Sequence, residues 1–333
     1  MNAFIFENNI NTALSNAISS SATSITVANG ADLPTSIPAG EFLALTLNDQ
    51  STGQFFEVVY ATAVTGNTLT VLRGQEGTSA LSWLTGDLVY SGPTAGQMAN
   101  IQAGRLLRVS VFTNVSGTQF VSINGGAPTT TGAGMWTQLP GANSTEYEGC
   151  GASGSSGGAP ATTSGEVSFG GSTGSGGYGK GYLIGSIGIQ AITIGVGGAA
   201  QGAGQNGVPG TGTIFGTIAD FPGSSGGNAG VAFPPPNVVG ASAGGNAPTG
   251  CNIFSCAGNA GVIGTCATIQ AAVSGNGGAC PYGSGGPGVP FNSNGLTGSG
   301  YGAGSSGANN GPSSAARPGS AGLNGVLIIR EFA

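Results

Sequence analysis

Gly170-Gly171-Ser172-Thr173-Gly174-Ser175-Gly176-Gly177 places glycine at 171, 174 and 177. The same spacing returns at Gly204/Gly207/Gly210, Gly258/Gly261/Gly264 and Gly319/Gly322/Gly325. Three residues make one turn of a polyproline-II-type helix, which rises ~3.1 Å per residue and has no internal hydrogen bonds. With glycine at every third place, one side of that helix is bare, and neighbouring backbones can approach closely enough to bond directly. Each buried N–H and C=O must then find its partner on another thread. Collagen shares the period but keeps its glycines in phase with abundant proline; here the phase breaks between bursts. Disordered linkers are polar and charged, whereas this stretch is nearly uncharged and carries Ile, Val and Phe. The bursts therefore predict a bundle of polyglycine-II-type helices.

On either side of residue 148 the chain is made of different material. Residues 149–333 hold 52 of the 68 glycines and six charges (Glu166, Lys180, Asp220, Arg317, Arg330, Glu331), with no net charge. Residues 1–148 hold 16 glycines and 12 charges, and carry the whole net charge of −6. Ordering a residue costs roughly 1–2 kcal/mol, most of all for glycine, and each lateral backbone bond returns ~0.5–1.5 kcal/mol net. Outer helices of a single chain keep unpaired edges, which a closed trimer or a capped layer would reduce; a homotrimer is the expected assembly, in part on the family resemblance given below. The terminal Gly325-Val326-Leu327-Ile328-Ile329-Arg330-Glu331-Phe332 is an apolar strand that would aggregate at an open edge, and it is expected to be paired inside.

The absence of histidine removes His-based triads and the zinc hydrolases built on that ligand. Six unclustered Lys and Arg leave no electrostatic footprint for nucleic acid. No run of 18 apolar residues predicts membrane insertion, and Met1–Glu7 lacks the basic start of a signal peptide. Cys150, Cys251, Cys256, Cys266 and Cys280 match no zinc spacing. They read either as small buried hydrophobes or as partners in a disulfide formed after release from the cell. No cofactor or metal is expected, and the composition fits a binding or structural protein, not an enzyme.

The N-terminal part reads as a small β module. Ile25-Thr26-Val27 precedes Asn29-Gly30, Glu41–Leu47 alternates, and Phe55–Val64 meets Thr68–Leu72 across Gly66-Asn67. Thr94 and Gln97 have capping-box spacing before a short helix over 95–103, with Met98 and Ile101 on one face. Strand pattern resumes at Arg105–Phe112. The run Tyr60–Thr78, with Leu72-Arg73-Gly74-Gln75-Glu76-Gly77-Thr78 inside it, then Gly86-Asp87-Leu88-Val89 and Pro93-Thr94-Ala95-Gly96, resembles the N-terminal region of bacteriophage tail-fibre and tail-tip proteins. Gly179-Lys180-Gly181, Ile192-Thr193-Ile194-Gly195-Val196-Gly197-Gly198, Gly212-Thr213-Ile214-Phe215-Gly216 and the last strand resemble the glycine-rich C-terminal domain of the same fibres. Val111-Phe112-Thr113 and Ser116–Phe120 are similar to the strand pair that opens that domain. The chain departs from the pattern over Ser122–Tyr147.

The resemblance implies a virion protein made in the host cytoplasm that docks on baseplate or other tail proteins through residues 1–102. It implies that the other end binds a host-surface glycan or outer-membrane receptor. The expected fold is mainly β with very little α-helix: a module over 1–102, a β connector over 103–148 and a glycine-rich tip over 149–333. A purely structural baseplate or tail component is the alternative.

Glycine offers no side chains, so recognition falls to loops on the stiff scaffold. The candidates are Phe233, Asn237, Asn252, Phe254, Tyr282, Phe291, Asn292 and Tyr301, because aromatic faces stack on sugars and amides bond hydroxyls. Each of them also reads as a core cap or a turn residue. Glu146 and Glu148 share one face of a strand, and paired carboxylates could do glycosidase chemistry, which would make the chain a polysaccharide-degrading fibre; the scarcity of acids in the second half speaks against it.

Overall fold

The computed structural model describes residues 3–102, 104–131 and 134–333, which form two compact units, Met1–Ala103 and Gly104–Ala333. Both are mainly β, and Ala95–Gln102 is the one α-helix among the described residues.

The first unit is a seven-stranded sheet in the order Asn11–Ala13, Leu88–Tyr90, Glu41–Asn48, Phe56–Thr65, Thr68–Gln75, Ser24–Thr26, with Ala3–Ile5 parallel to the start of Glu41–Asn48. Both faces of Glu41–Asn48 are covered. Leu43, Leu45 and Leu47 join the main core with Ile25, Val59, Leu69 and Trp83, while Ala44 packs with Tyr60 and Phe42 on the other side. Gly66 turns the Phe56–Thr65/Thr68–Gln75 hairpin at φ 57°, a conformation that glycine adopts without a Cβ penalty.

The stretch Leu72–Thr78 holds this unit together. Arg73 forms a bidentate pair with the fully buried Glu57 at 2.7 Å, and Glu57 also accepts from Trp83 Nε1 at 2.8 Å and the amides of Gly74 and Leu81. Burial pulls the Glu57 carboxyl up, but Arg73, Trp83 and the two amides outweigh it and hold the group below its usual range. Glu76 reaches the helix start, accepting from Thr94 Oγ1 at 2.7 Å and the Gly96 amide at 2.6 Å. The capping box is in place: the Thr94 amide donates to Gln97 Oε1 and the Gln97 amide to Thr94 Oγ1. Met98 is exposed, and Ala103 and the Ile101 side chain lie outside the described residues.

The second unit starts as two packed sheets. The larger runs Thr129–Thr130, Thr118–Ile123, Leu106–Val115, Val326–Phe332, Ser144–Cys150, Tyr178–Ile184, Phe254–Cys256, antiparallel throughout. The smaller runs Met135–Thr137, Ile189–Thr193, Thr213–Phe215, Ala219–Phe221. Phe112, Tyr147, Leu327 and Ile329 of the first pack on Trp136, Ile192, Phe215 and Phe221 of the second. The terminal apolar strand is flanked on both sides, as its composition requires. Because it lies between Leu106–Val115 and Ser144–Cys150, residues 104–148 are not a separate connector. They share a sheet with the far end of the chain, and the boundary expected at 148/149 is absent. The departure over Ser122–Tyr147 supplies Trp136 to the smaller sheet.

Beyond Cys150 the glycine threads begin, and their hydrogen bonds follow a period of three. The amides of Ala152, Ser155 and Gly158 donate to Thr211, Val208 and Gln205, and those of Ser153, Ser156 and Ala159 donate to Leu323, Ser320 and Arg317. The amides of Gly151 and Gly157 donate to Gly177 and Gly171. The carbonyls of this thread accept from Ser224, Gly227 and Gly230, from Gly198 and from Ala308. Thread 151–159 thus bonds to six neighbours. Thread 170–177 does likewise, bonding to 151–157, 222–228, 242–245, 259, 278 and 302–308. Successive residues of a threefold helix point 120° apart, so amides and carbonyls together reach a hexagonal ring of neighbours. Gly207 shows why the spacing is strict: a Cβ there would lie 1.8 Å from the Ser155 carbonyl oxygen. The interior contains Ser153, Ser155, Ser156, Ser172 and Ser175 in place of large side chains. The Ser153 and Ser172 hydroxyls donate to the Ala303 and Val262 carbonyls, while Ser155 Oγ accepts the Val208 amide.

Candidate functional site

Eight residues at ~3.1 Å per residue carry thread 151–158 about 25 Å away from the sheets. The chain enters this unit at Gly104, whose amide donates to the Ala333 carbonyl. Leu106 pairs with Phe332, and that register runs on to the other end of the sheet, where Cys150 pairs with Val326 and the bundle begins. The loops at the far end of the bundle are therefore opposite the point where the chain enters the unit.

Four of the eight candidate residues are at this far end. Phe233 bridges to Val167 and stands edge-on to the buried Phe169, 5.4 Å between centroids. Phe291 packs into the same cluster with Cys266, Val239 and Ala272. Both rings cap the glycine layers and are half-buried. Asn237 is exposed, and its Oδ1 accepts from the adjacent Val238 amide at 2.7 Å. Asn292 takes φ 60° and its Oδ1 accepts from Gly311 and Ser314, so it closes a turn.

The other four lie beside the larger sheet. Asn252 pairs with Tyr182 in both directions at 2.8 Å, imitating one rung of a strand ladder. Phe254 is half exposed and tilts against Tyr178, centroids 5.9 Å apart. Tyr282 stands edge-on to Tyr178 at 5.7 Å, and Tyr301 joins the same cluster with Cys150, Cys280 and Val326. Burial, with the Glu148 charge beside it, pushes the Tyr282 hydroxyl far above its usual range. The eight residues do not form one site.

Glu146 and Glu148 do share a face, but each is occupied. Arg330 bridges them, Nη1 to Glu146 and Nη2 to Glu148, both at 2.9 Å, and Lys180 Nζ is 3.0 Å from Glu146. Tyr178 adds a long hydrogen bond to Glu148 at 3.4 Å. Two carboxylates against two cations make a network with no net formal charge.

Residues not expected from sequence line the far end. The small sheet Asn237–Val239, Gly264–Thr268, Ala271–Val273 sets Val238, Thr265 and Val273 directly opposite one another. Opposed residues share a face, and this row faces solvent, with Val238 62% and Val273 47% exposed. Cys266, on the reverse face, is buried. Val231, Ile263 and Ile269 add further exposed apolar surface, and Pro236, Val238, Thr265 and Ala267 line a shallow cleft. In these loops the charged side chains are Glu166, bonded to the Thr163 amide in its own turn, and Arg317. No sequence signal marked this row, because its three residues come from separate segments that only the fold pairs.

Among the described residues no group of His, Cys, Asp and Glu could hold a metal ion. Compared with known proteins, the chain matches no family and no characterised sequence.

Proposed function

We propose that this chain is a bacteriophage tail-fibre or tail-tip protein, attached to the virion through residues 1–102. In this reading it binds a host-surface glycan or outer-membrane receptor through the far end of its glycine bundle. The observation that carries this is the backbone-knitted bundle itself, which fixes exposed, nearly uncharged loops opposite the point where the chain enters the unit. Loops on a stiff scaffold suit recognition, and an apolar patch rimmed by amides and hydroxyls suits an interaction site. The mechanism is reversible binding without bond making or breaking, strengthened by repeated copies; neutralisation of Glu146 and Glu148 by Arg330 and Lys180 supports it.

The homotrimer belongs to this proposal. One chain already encloses threads 151–159 and 170–177, so trimer contacts would be made by outer surfaces, and light scattering would read three times 31.8 kDa.

The test is binding of fluorescent full-length chain to a panel of bacterial strains. The double variant Val238→Asp/Val273→Asp should lose at least ten-fold in binding to any strain that the parent labels, while Tyr182→Ala should not. Equal binding by the double variant removes the far end as the receptor site. No binding to any strain, with the chain buried in the particle, favours the purely structural tail component.

A further inference from the structure

Cys150 ends the strand Ser144–Cys150, and Cys280 opens the tight turn Cys280–Gly283, 130 positions later. Both are free thiols in one small buried cluster with Ala303 and Val326. The segment 302–304 packs beside both of them. A Cβ on Gly302 would lie 2.6 Å from Cys150 Sγ, and two residues on the Gly304 amide donates to Gly278, two residues before Cys280.

We propose that Cys150 and Cys280 are a latent disulfide, closed by a low-molecular-weight disulfide oxidant, that staples the large sheet to the glycine bundle.

Their proximity in this cluster lowers the Cys280 thiol and raises that of Cys150, whose burial raises it further. Cys280 keeps 7% exposure and Cys150 none, so Cys280 is the attacking thiolate. Its sulfur displaces one thiolate from glutathione disulfide and forms a mixed disulfide. Cys150, giving up its proton to solvent, then attacks the Cys280 sulfur and expels the second glutathione. Two protein thiols are oxidised, one glutathione disulfide is reduced to two thiols, and no other reactant is needed. Of the other three cysteines, Cys266 Sγ donates to the Thr268 carbonyl, Cys251 packs into the core between the two sheets, and Cys256 is separated from Cys150 by Tyr178, which pairs with both.

The experiment treats reduced full-length chain with glutathione disulfide, alkylates it in guanidinium, and digests it with pepsin at acid pH for mass spectrometry. The expected result is three alkylated cysteines out of five, one peptide pair joined through Cys150 and Cys280, and an unfolding midpoint that rises and falls back on adding phosphine reductant. The Cys266→Ala variant should give the same link, and Cys280→Ser should give none. Five alkylated thiols, a stable glutathione adduct on Cys280, or a link through any other cysteine would overturn the proposal.

Discussion

The two units solve the same problem with opposite materials. In Met1–Ala103 the interior is side chains: Leu43, Leu45, Leu47, Val59, Leu69 and Trp83 exclude water, and one buried ion pair, Arg73–Glu57, ties the loops down. In the glycine bundle the interior is backbone, with serine and alanine filling what remains, and order comes from amides shared among six neighbouring threads. A side-chain core tolerates a lost methylene at a graded cost, because neighbours relax. A backbone core has no such slack: an added Cβ meets a carbonyl that is itself bonded to a third thread. The chain has two tryptophans, Trp83 in the first unit and Trp136 in the second, both buried, so variants that keep only one of them let fluorescence follow each unit separately.

The largest contrast is expected from Gly207→Ala, whose Cβ would stand 1.8 Å from the Ser155 oxygen. Trp136 should report loss of the native second unit, or an unfolding free energy in guanidinium lowered by more than the ~1–3 kcal/mol usual for overpacking, while Trp83 stays unchanged. Next is Glu57→Gln, which leaves Arg73 uncompensated in the core of the first unit. It should cost about 3–5 kcal/mol, seen by Trp83 and not by Trp136.

The units should also fail at opposite ends of the pH scale. Glu57 is held below its ordinary 4.5, so its contribution is fully present above that value. It is lost as pH falls through the folded-state value, and the first unit should weaken in acid below about pH 4.5. In the second unit burial lifts Tyr147 from 10.0 to about 12. That contribution is complete below pH 10 and disappears as pH rises towards 12, so Trp136 should report alkaline unfolding. Coincident transitions at either extreme would mean the two units do not unfold independently. The smallest effect is expected from Thr94→Ala, which removes the N-cap of the short helix for about 1 kcal/mol, read by Trp83.

Much of the first unit was legible because its signals are local. The Gly66-Asn67 turn, the alternation in Glu41–Leu47 and the Thr94/Gln97 box each lie within a few residues of their partners. The motif around Arg73 was visible as a string, but its role as a buried ion pair and a helix cap depends on Glu57, Trp83 and Thr94, which only the fold brings near. In the second unit the spacing of three recurs in the hydrogen bonds, Ala152, Ser155 and Gly158 donating to one neighbouring segment and Ser153, Ser156 and Ala159 to another. It did not say which aromatic rings would face solvent: Phe233 and Phe291 turned inward because Phe169 and Cys266 needed covering where the glycine layers end. The exposed Val238–Thr265–Val273 row escaped notice because it is assembled from three loops, each unremarkable alone.

The sequence alone determined that this chain is mainly β, that it changes material near the middle, and that its glycines recur in bursts of three, where bare backbone allows close approach. Only the tertiary structure decided which threads are neighbours, that residues 104–148 share a sheet with the last strand, and which loops gather at the far end of the bundle. The reason is that a bare glycine face is the same on every thread. It specifies close approach without specifying a partner, and partners are fixed only when all the threads fill the bundle together.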